Sequence, residues 1–355
     1  MYERDKQGLT DKEKRAMRMC TFVLALLAAS AASAAEPPPW ATKDLRAGII
    51  GTDNGHAVAF SSAFRAHPEW RIKTVVAFKG GSPDMPFSAD RIESISAKVR
   101  ENDVEFVDTI EELLSKVDVV HLHSVDGRPH LAQATPVFKA GKRLYIDKPL
   151  AATVADARRI VELSKETGTP FFSSSTMRFR GNHLQLRAHP GVGKVLKVQT
   201  TRGGPGLMNG AYGIHGNEAL YAVMGPGCVS VTQTKDGYVG KWKDGRLGIV
   251  APPSKEKNVP WIRVFGTEGT VDSVDGGGTY DGLIRATAEF FHTGKPPVDA
   301  EETVEIIEFM VAAALSKERG GAEVSLEEVR KPPASTFLEK IRVRGAKASP
   351  EKAKK

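Results

Sequence analysis

The sequence predicts an α/β chain: a Rossmann-like doubly wound parallel sheet followed by a C-terminal α+β domain with an open sheet. Three observations carry this. Between Leu45 and Ser174, short apolar runs alternate with stretches of helical spacing, the order that covers both faces of a parallel sheet with helices. Gly141 and Gly168 stand where two of those helices should close. Past Ser175 the alternation gives way to strand signals around glycine turns, with long helical segments gathered at the end.

In order, the first domain reads as a strand at Leu45–Ile50, a turn at Gly51–His56 and a helix from Ala57 to Phe64. A strand at Lys73–Phe78 and a helix at Asp90–Arg100 follow, the latter spaced through Ile92, Ile95 and Val99. Next come Glu105–Val107 and a helix Ile110–Ser115 capped by Thr109, with Glu112 completing the capping box. The unit ends with strands Val117–His123, Arg143–Ile146 and Pro170–Ser174 and helices Pro129–Ala140 and Val154–Thr167. Right-handed crossovers put every strand's carboxyl end on one edge, where ligands of such sheets bind. In the second domain, strands are expected at Val192–Thr201, Val229–Gln233, Trp261–Phe265 and Thr270–Val274. Helices are expected at Asn217–Val223, Asp281–Phe291 and Ala300–Lys317, the last apolar nearly all round and so buried.

The 355 residues, 41% hydrophobic and 26% charged, suit two ordinary domains without staples. The net charge of +7 is misleading, because residues 1–35 carry +2 and residues 331–355 carry +6, leaving 36–330 at −1. A near-neutral folded part argues against nucleic acid as a partner. Arg15 and Arg18 precede an apolar run from Cys20 to Ala29 and an Ala32-Ser33-Ala34 cleavage signal. The expected division is a signal peptide at 1–35, a linker at 36–44, a Rossmann-like domain at 45–175, a C-terminal α+β domain at 176–330 and a basic tail at 331–355. That implies an exported chain, periplasmic or extracellular, with no stable membrane insertion after cleavage, since the apolar run is too short to span a bilayer. Cys228 is then alone.

Gly51-Thr52-Asp53-Asn54-Gly55-His56 stands where a dinucleotide-binding loop belongs. In a G-x-G-x-x-G register only Gly51 fits; Asp53 and His56 replace the glycines that admit the pyrophosphate and the close helix–strand contact. The loop reads equally as a cofactor loop and as a structural turn capped by Asp53 or Asn54. No acid ends the second strand to bind a ribose; Lys79 follows it instead. In Asp147-Lys148-Pro149, proline ends a strand and Lys148 is presented at the functional edge, where a lysine can hold a substrate hydroxyl or move its proton. The plainer alternative is a surface lysine in a turn. His215, before a helix in Gly213-Ile214-His215-Gly216-Asn217-Glu218, is an acid/base candidate or else a capping or core histidine. His121, His123 and His130 lie close in sequence, but no carboxylate or cysteine spacing completes a ligand set, so no metal is expected.

Several segments together make the chain resemble the Gfo/Idh/MocA oxidoreductases over roughly residues 45–330. They are Val117-Asp118-Val119-Val120, His130 ahead of Ala140-Gly141-Lys142, Asp147-Lys148-Pro149-Leu150-Ala151, Val192-Gly193-Lys194-Val195, Gly266-Thr267-Glu268-Gly269-Thr270 and Gly294-Lys295-Pro296-Pro297. The resemblance implies NAD or NADP as cofactor and a sugar, inositol or related polyol as substrate. It implies Lys148 and His215 as catalytic residues, with cofactor contacts from Gly51, Thr52, Asp53, Asn54, Ser124, Asp147 and Lys148. His215 matches the histidine of the family's Asp-x-x-x-His pair, whose acid position falls on Ala211, and Ser124–Arg128 replaces a Thr-Pro contact. A homo-oligomer through the second sheet is also implied. Export and the altered loop motivate a competing expectation, a non-redox carbohydrate-binding protein on the same fold, and a sugar lyase is a third.

Overall fold

A computed structural model describes residues 36–201, 213–252, 259–274 and 280–331. The expected signal peptide, Ala211 and the tail beyond 331 lie outside the described residues.

The first sheet contains β1 (Leu45–Ile50), β2 (Ile72–Phe78), β3 (Glu105–Val107), β4 (Val119–Leu122), β5 (Arg143–Asp147) and β6 (Phe171–Ser174). All are parallel, in the order β3-β2-β1-β4-β5-β6. The order reverses between β1 and β4, so a crevice opens outside their carboxyl ends. Six helices accompany it: α1 (Gly55–Ala66), α2 (Pro86–Ala89), α3 (Ile92–Arg100), α4 (Ile110–Lys116), α5 (His130–Lys139) and α6 (Val154–Thr167). The Thr109 cap forms, its side chain accepting from Glu112 N at 3.1 Å. β4 and β6 are buried at every residue, as strands covered on both faces must be.

The second sheet runs β12-β11-β7-β10-β9-β8-β13. Its strands are β7 (Val195–Thr200), β8 (Cys228–Thr234), β9 (Gly237–Trp242), β10 (Leu247–Val250), β11 (Ile262–Gly266), β12 (Thr270–Asp272) and β13 (Val324–Ser325). Helices α7 (Gly213–Met224), α8 (Asp281–Thr293), α9 (Ala300–Glu318) and α10 (Leu326–Arg330) belong to the same half of the chain. As expected from its all-round apolar surface, α9 is buried, through Val304, Ile307, Phe309, Met310 and Val311.

Three features depart from the sequence expectations. The antiparallel pair β9–β10 was not anticipated, although Asp244-Gly245 marks its turn, with Gly245 at φ 87°. Its strands are broken by Gly240 and Gly248, which weaken strand propensity. A Cβ on Gly240 would come 2.4 Å from the Phe309 ring and one on Gly248 2.6 Å from Trp242, so the missing side chains admit α9 and that indole. Second, the helix expected from Asn217 begins at Gly213, placing His215 in its first turn rather than before it. Third, α8 packs on the first sheet, where Leu283, Ile284, Phe290 and Phe291 share a core with Leu45, Phe60, Tyr145 and Phe172.

The two halves are also joined by charge. Arg178, in a 3₁₀ turn just past β6, lies 3.2 Å from Glu218 Oε2 on α7 and 2.6 Å from Glu302 Oε1 on α9, and all three side chains are nearly inaccessible. This anchor sets the pose of α7, and with it His215, against the carboxyl edge of the first sheet.

Candidate functional site

The ends of β1, β4 and β5 bring a polar cluster to the crevice. At its centre is Asp147, the last residue of β5 and wholly buried. Its Oδ2 accepts from Asn54 Nδ2 at 2.7 Å and lies 2.6 Å from His56 Nδ1. Its Oδ1 accepts from the Lys148 backbone N–H at 2.8 Å and from the Tyr145 hydroxyl at 3.3 Å. Burial alone would push this carboxyl up, but the His56 ring hydrogen-bonded to it, the His123 ring beside it and the Lys148 ammonium outweigh burial and hold Asp147 well below the usual carboxylate range. Asp147 is therefore an anion that fixes its surroundings.

Lys148 follows in the turn and is 5% exposed. Among the described residues its ammonium makes no hydrogen bond or ion pair. From α7, His215 reaches the same place: its Nδ1 lies 2.6 Å from Ser175 Oγ. Burial first, and then the charge of Lys148, push His215 down to about 3. It is thus a neutral imidazole through the physiological range. A neutral imidazole keeps one N–H donor and one acceptor nitrogen, so His215 can hydrogen-bond in the cleft without being an imidazolium acid.

The unfolded chain's His215 takes up a proton below 6.5, whereas in the fold it stays neutral until about 3. The stability linked to it is complete above 6.5 and is lost as pH falls through that window. His215→Gln should flatten the acid loss by about 2 kcal/mol between pH 6.5 and about 5, read from urea unfolding at each pH.

His56 sits in the first turn of α1, capped by Asn54, whose Oδ1 accepts from His56 N at 3.2 Å. The Tyr280 ring packs edge-on against it at 4.7 Å. Behind Asp147, His123 Nε2 and His121 Nδ1 are 2.8 Å apart, and both rings are fully buried among Phe60, Phe64 and Tyr145. Burial lowers both histidines further from protonation. His130, third of the histidines close in sequence, is elsewhere engaged, 2.8 Å from Ser124 O and 3.1 Å from Leu150 O. Instead, His56, His123 and Asp147 place potential ligand atoms within 4.8 Å of one another. Asp147 Oδ2 already receives two N–H groups there, so a hydrogen-bonded anion accounts for the cluster.

The remaining residues expected to contact a cofactor turn their side chains inward. Thr52 Oγ1 is 2.7 Å from Ser96 Oγ. Ser124 Oγ donates to Gln133 Oε1 at 2.9 Å. Asp53 accepts from Val125 N at 3.1 Å and Ser88 Oγ at 2.5 Å, tying the loop after β1 to the loops after β4 and β2. Gly51, at φ 89°, is required by close approach: a Cβ there would stand 2.3 Å from Ser124 N. The structure thus brings together Lys148, His215, Asn54 and Asp147, while Thr52, Asp53 and Ser124 shape the crevice floor. Sequence reasoning missed Ser175 and Tyr280 as neighbours, and saw in His56 only a misplaced glycine.

Residues 45–174 match the oxidoreductase family with an NAD-binding Rossmann fold. A 1,5-anhydro-D-fructose reductase of Ensifer adhaerens is 29% identical over 129 residues, 36% of this chain and 38% of that protein. The chain spans about a third of the length of the curated relatives it matches, 32% and 38%. Among solved structures, GenD2 from gentamicin A biosynthesis, in complex with NAD, superposes with a TM-score of 0.61 at 18% identity, covering 80% of this chain and 97% of that one. The WlbA dehydrogenase of Bordetella pertussis, in complex with NADH and UDP-GlcNAcA, gives 0.62 at 17% identity, covering 79% and 98%. At such identities the likeness is one of fold. The family match is confined to residues 45–174, which match the Gfo/Idh/MocA oxidoreductase family with an NAD-binding Rossmann fold.

Proposed function

We propose that the chain is an exported NAD(P)-dependent oxidoreductase acting on a sugar or polyol hydroxyl. The observation that carries this reading is the convergence of Lys148 and His215 beside the buried Asp147 at the carboxyl edge of the sheet. The residues present fit a nicotinamide dinucleotide. A Cβ on Gly55, at the start of α1, would meet nothing within 4 Å, so the positive end of that helix opens on free space. The Asp53 carboxylate is bound by Ser88 and Val125 instead of projecting into that space. A bound dinucleotide would supply the hydride acceptor or donor. The chain's own residues do the rest: the Lys148 ammonium holds the substrate oxygen and stabilises charge developing on it, and neutral His215 offers a hydrogen bond across the cleft.

The test is a thermal-shift and initial-rate survey of the full chain with NAD(H) and NADP(H) against monosaccharides, uronic acids and polyols. The reading predicts a dinucleotide-dependent rise in Tm and turnover at 340 nm with at least one member. Absence of both would overturn it, and saccharide binding without either would favour a non-redox binding protein. Asp53→Asn keeps an acceptor for Val125 but removes a buried charge near the helix terminus. It is expected to tighten dinucleotide binding by about three- to tenfold, measured by calorimetry.

We also infer a homo-oligomer, supported by the outer face of the second sheet. There Val239, Ile249, Leu247 and Phe265 are partly or fully exposed among Lys197, Lys241 and Arg263. Light scattering reads the mass directly. Among the described residues no helix is long and apolar enough to cross a membrane.

A further inference from the structure

Resting on the oxidoreductase reading, we propose that His56 is the group that takes the substrate's hydroxyl proton, and that Asp147 is the positioning residue that aims it. Three observations lead there. His56 Nδ1 lies 2.6 Å from Asp147 Oδ2. Because Asp147 already collects N–H and O–H donors from Asn54, Lys148 and Tyr145 and is buried, it is an acceptor, so the proton between the pair belongs to His56 Nδ1. That fixes the tautomer and leaves the lone pair on Nε2, which has no hydrogen-bond partner among the described residues. A histidine held by a buried carboxylate on one nitrogen and open on the other is the arrangement of an oriented general base.

The rest of the cleft cannot fill this role as well. His215 has its Nδ1 against the Ser175 hydroxyl at 2.6 Å. His123 faces Asp147 from just past the end of β4, its Nδ1 3.7 Å from Oδ2, and is sealed in the sheet's aromatic layer. Lys148 lies beside the pair as a fixed cation, and Tyr280 covers one face of the imidazole. His56 is thus faced by Asp147, His123, Lys148, His215 and Tyr280, and of these only Asp147 is an anion. In the oxidising direction the substrate O–H bond breaks and its proton passes to His56 Nε2. A bound oxidised nicotinamide would accept the C–H electron pair as hydride while the carbon–oxygen double bond forms. The residue that displaces a glycine of the dinucleotide loop thereby becomes part of the chemistry beside it.

The experiment has two arms. In the first, the full chain labelled with ¹⁵N-histidine is examined without substrate by long-range ¹H–¹⁵N correlation, with His56 assigned from His56→Gln. The expected result is the Nδ1–H tautomer, with that preference weakened in Asp147→Asn. The Nε2–H tautomer would overturn the proposal whatever the substrate proves to be. In the second arm, the substrate found in the survey is oxidised across pH. His56→Gln, which can still hydrogen-bond to Asp147, should lower kcat by about 10²–10³-fold with little change in KM and abolish the rise of kcat with pH on the acid side. A variant that keeps this limb with dinucleotide-dependent turnover intact would refute the role of His56 while leaving the oxidoreductase reading standing. So would stoichiometric zinc in the native chain that is lost in His56→Gln, since a metal would then occupy the lone pair.

Discussion

Arg178→Ala is expected to destabilise the fold by about 3–5 kcal/mol, measured by urea unfolding at neutral pH. Arg178 bridges Glu218 on α7 and Glu302 on α9 from the segment that leaves β6. Burial pushes the Glu218 carboxyl up even with the guanidinium beside it. Removing the cation leaves two buried acids close together with nothing between them. One of them must then take up a proton, so the loss should shrink as pH is lowered toward the carboxylate range. Arg178→Lys should recover only part of it, because one ammonium cannot serve two carboxylates in the geometry of a planar guanidinium.

Lys148→Met should lower kcat by about 10²–10⁴-fold while leaving the fold intact, read from steady-state rates and Tm on the same preparations. Methionine keeps the stem length and removes only the ammonium. The backbone N–H of residue 148 still donates to Asp147 Oδ1, so the turn and the carboxylate keep their positions. Loss of the cation should also ease protonation of His215, whose resistance to it comes first from burial and next from Lys148.

The first sheet was legible because each of its strands is a local signal bounded by glycine, proline or a cap. Gly168 shows this well, ending α6 at φ 63° as the sequence implies. Lys148 was legible for the same reason: Pro149 fixes where β5 stops. β9 and β10 were hidden because Gly240 and Gly248 serve contacts with Phe309 and Trp242 that are far away in sequence. His56 was hidden more deeply. Its meaning depends on Asp147, 91 residues away, and no spacing rule links the start of one helix to the end of a distant strand. Asp53 shows the reverse difficulty. In the sequence it looks like a carboxylate set against a phosphate, whereas in the fold it is a buried acceptor joining three loops.

The proposed hydride transfer between a dinucleotide and a substrate carbon can be followed by an isotope label. The full chain is incubated with NAD⁺ or NADP⁺ and polyols or sugars deuterated at carbon, and the recovered dinucleotide is examined by mass spectrometry. One deuterium on the nicotinamide ring, absent with Lys148→Met, is the predicted result. Unlabelled dinucleotide from every compound, or a carbonyl product formed while the dinucleotide stays unlabelled, would contradict it.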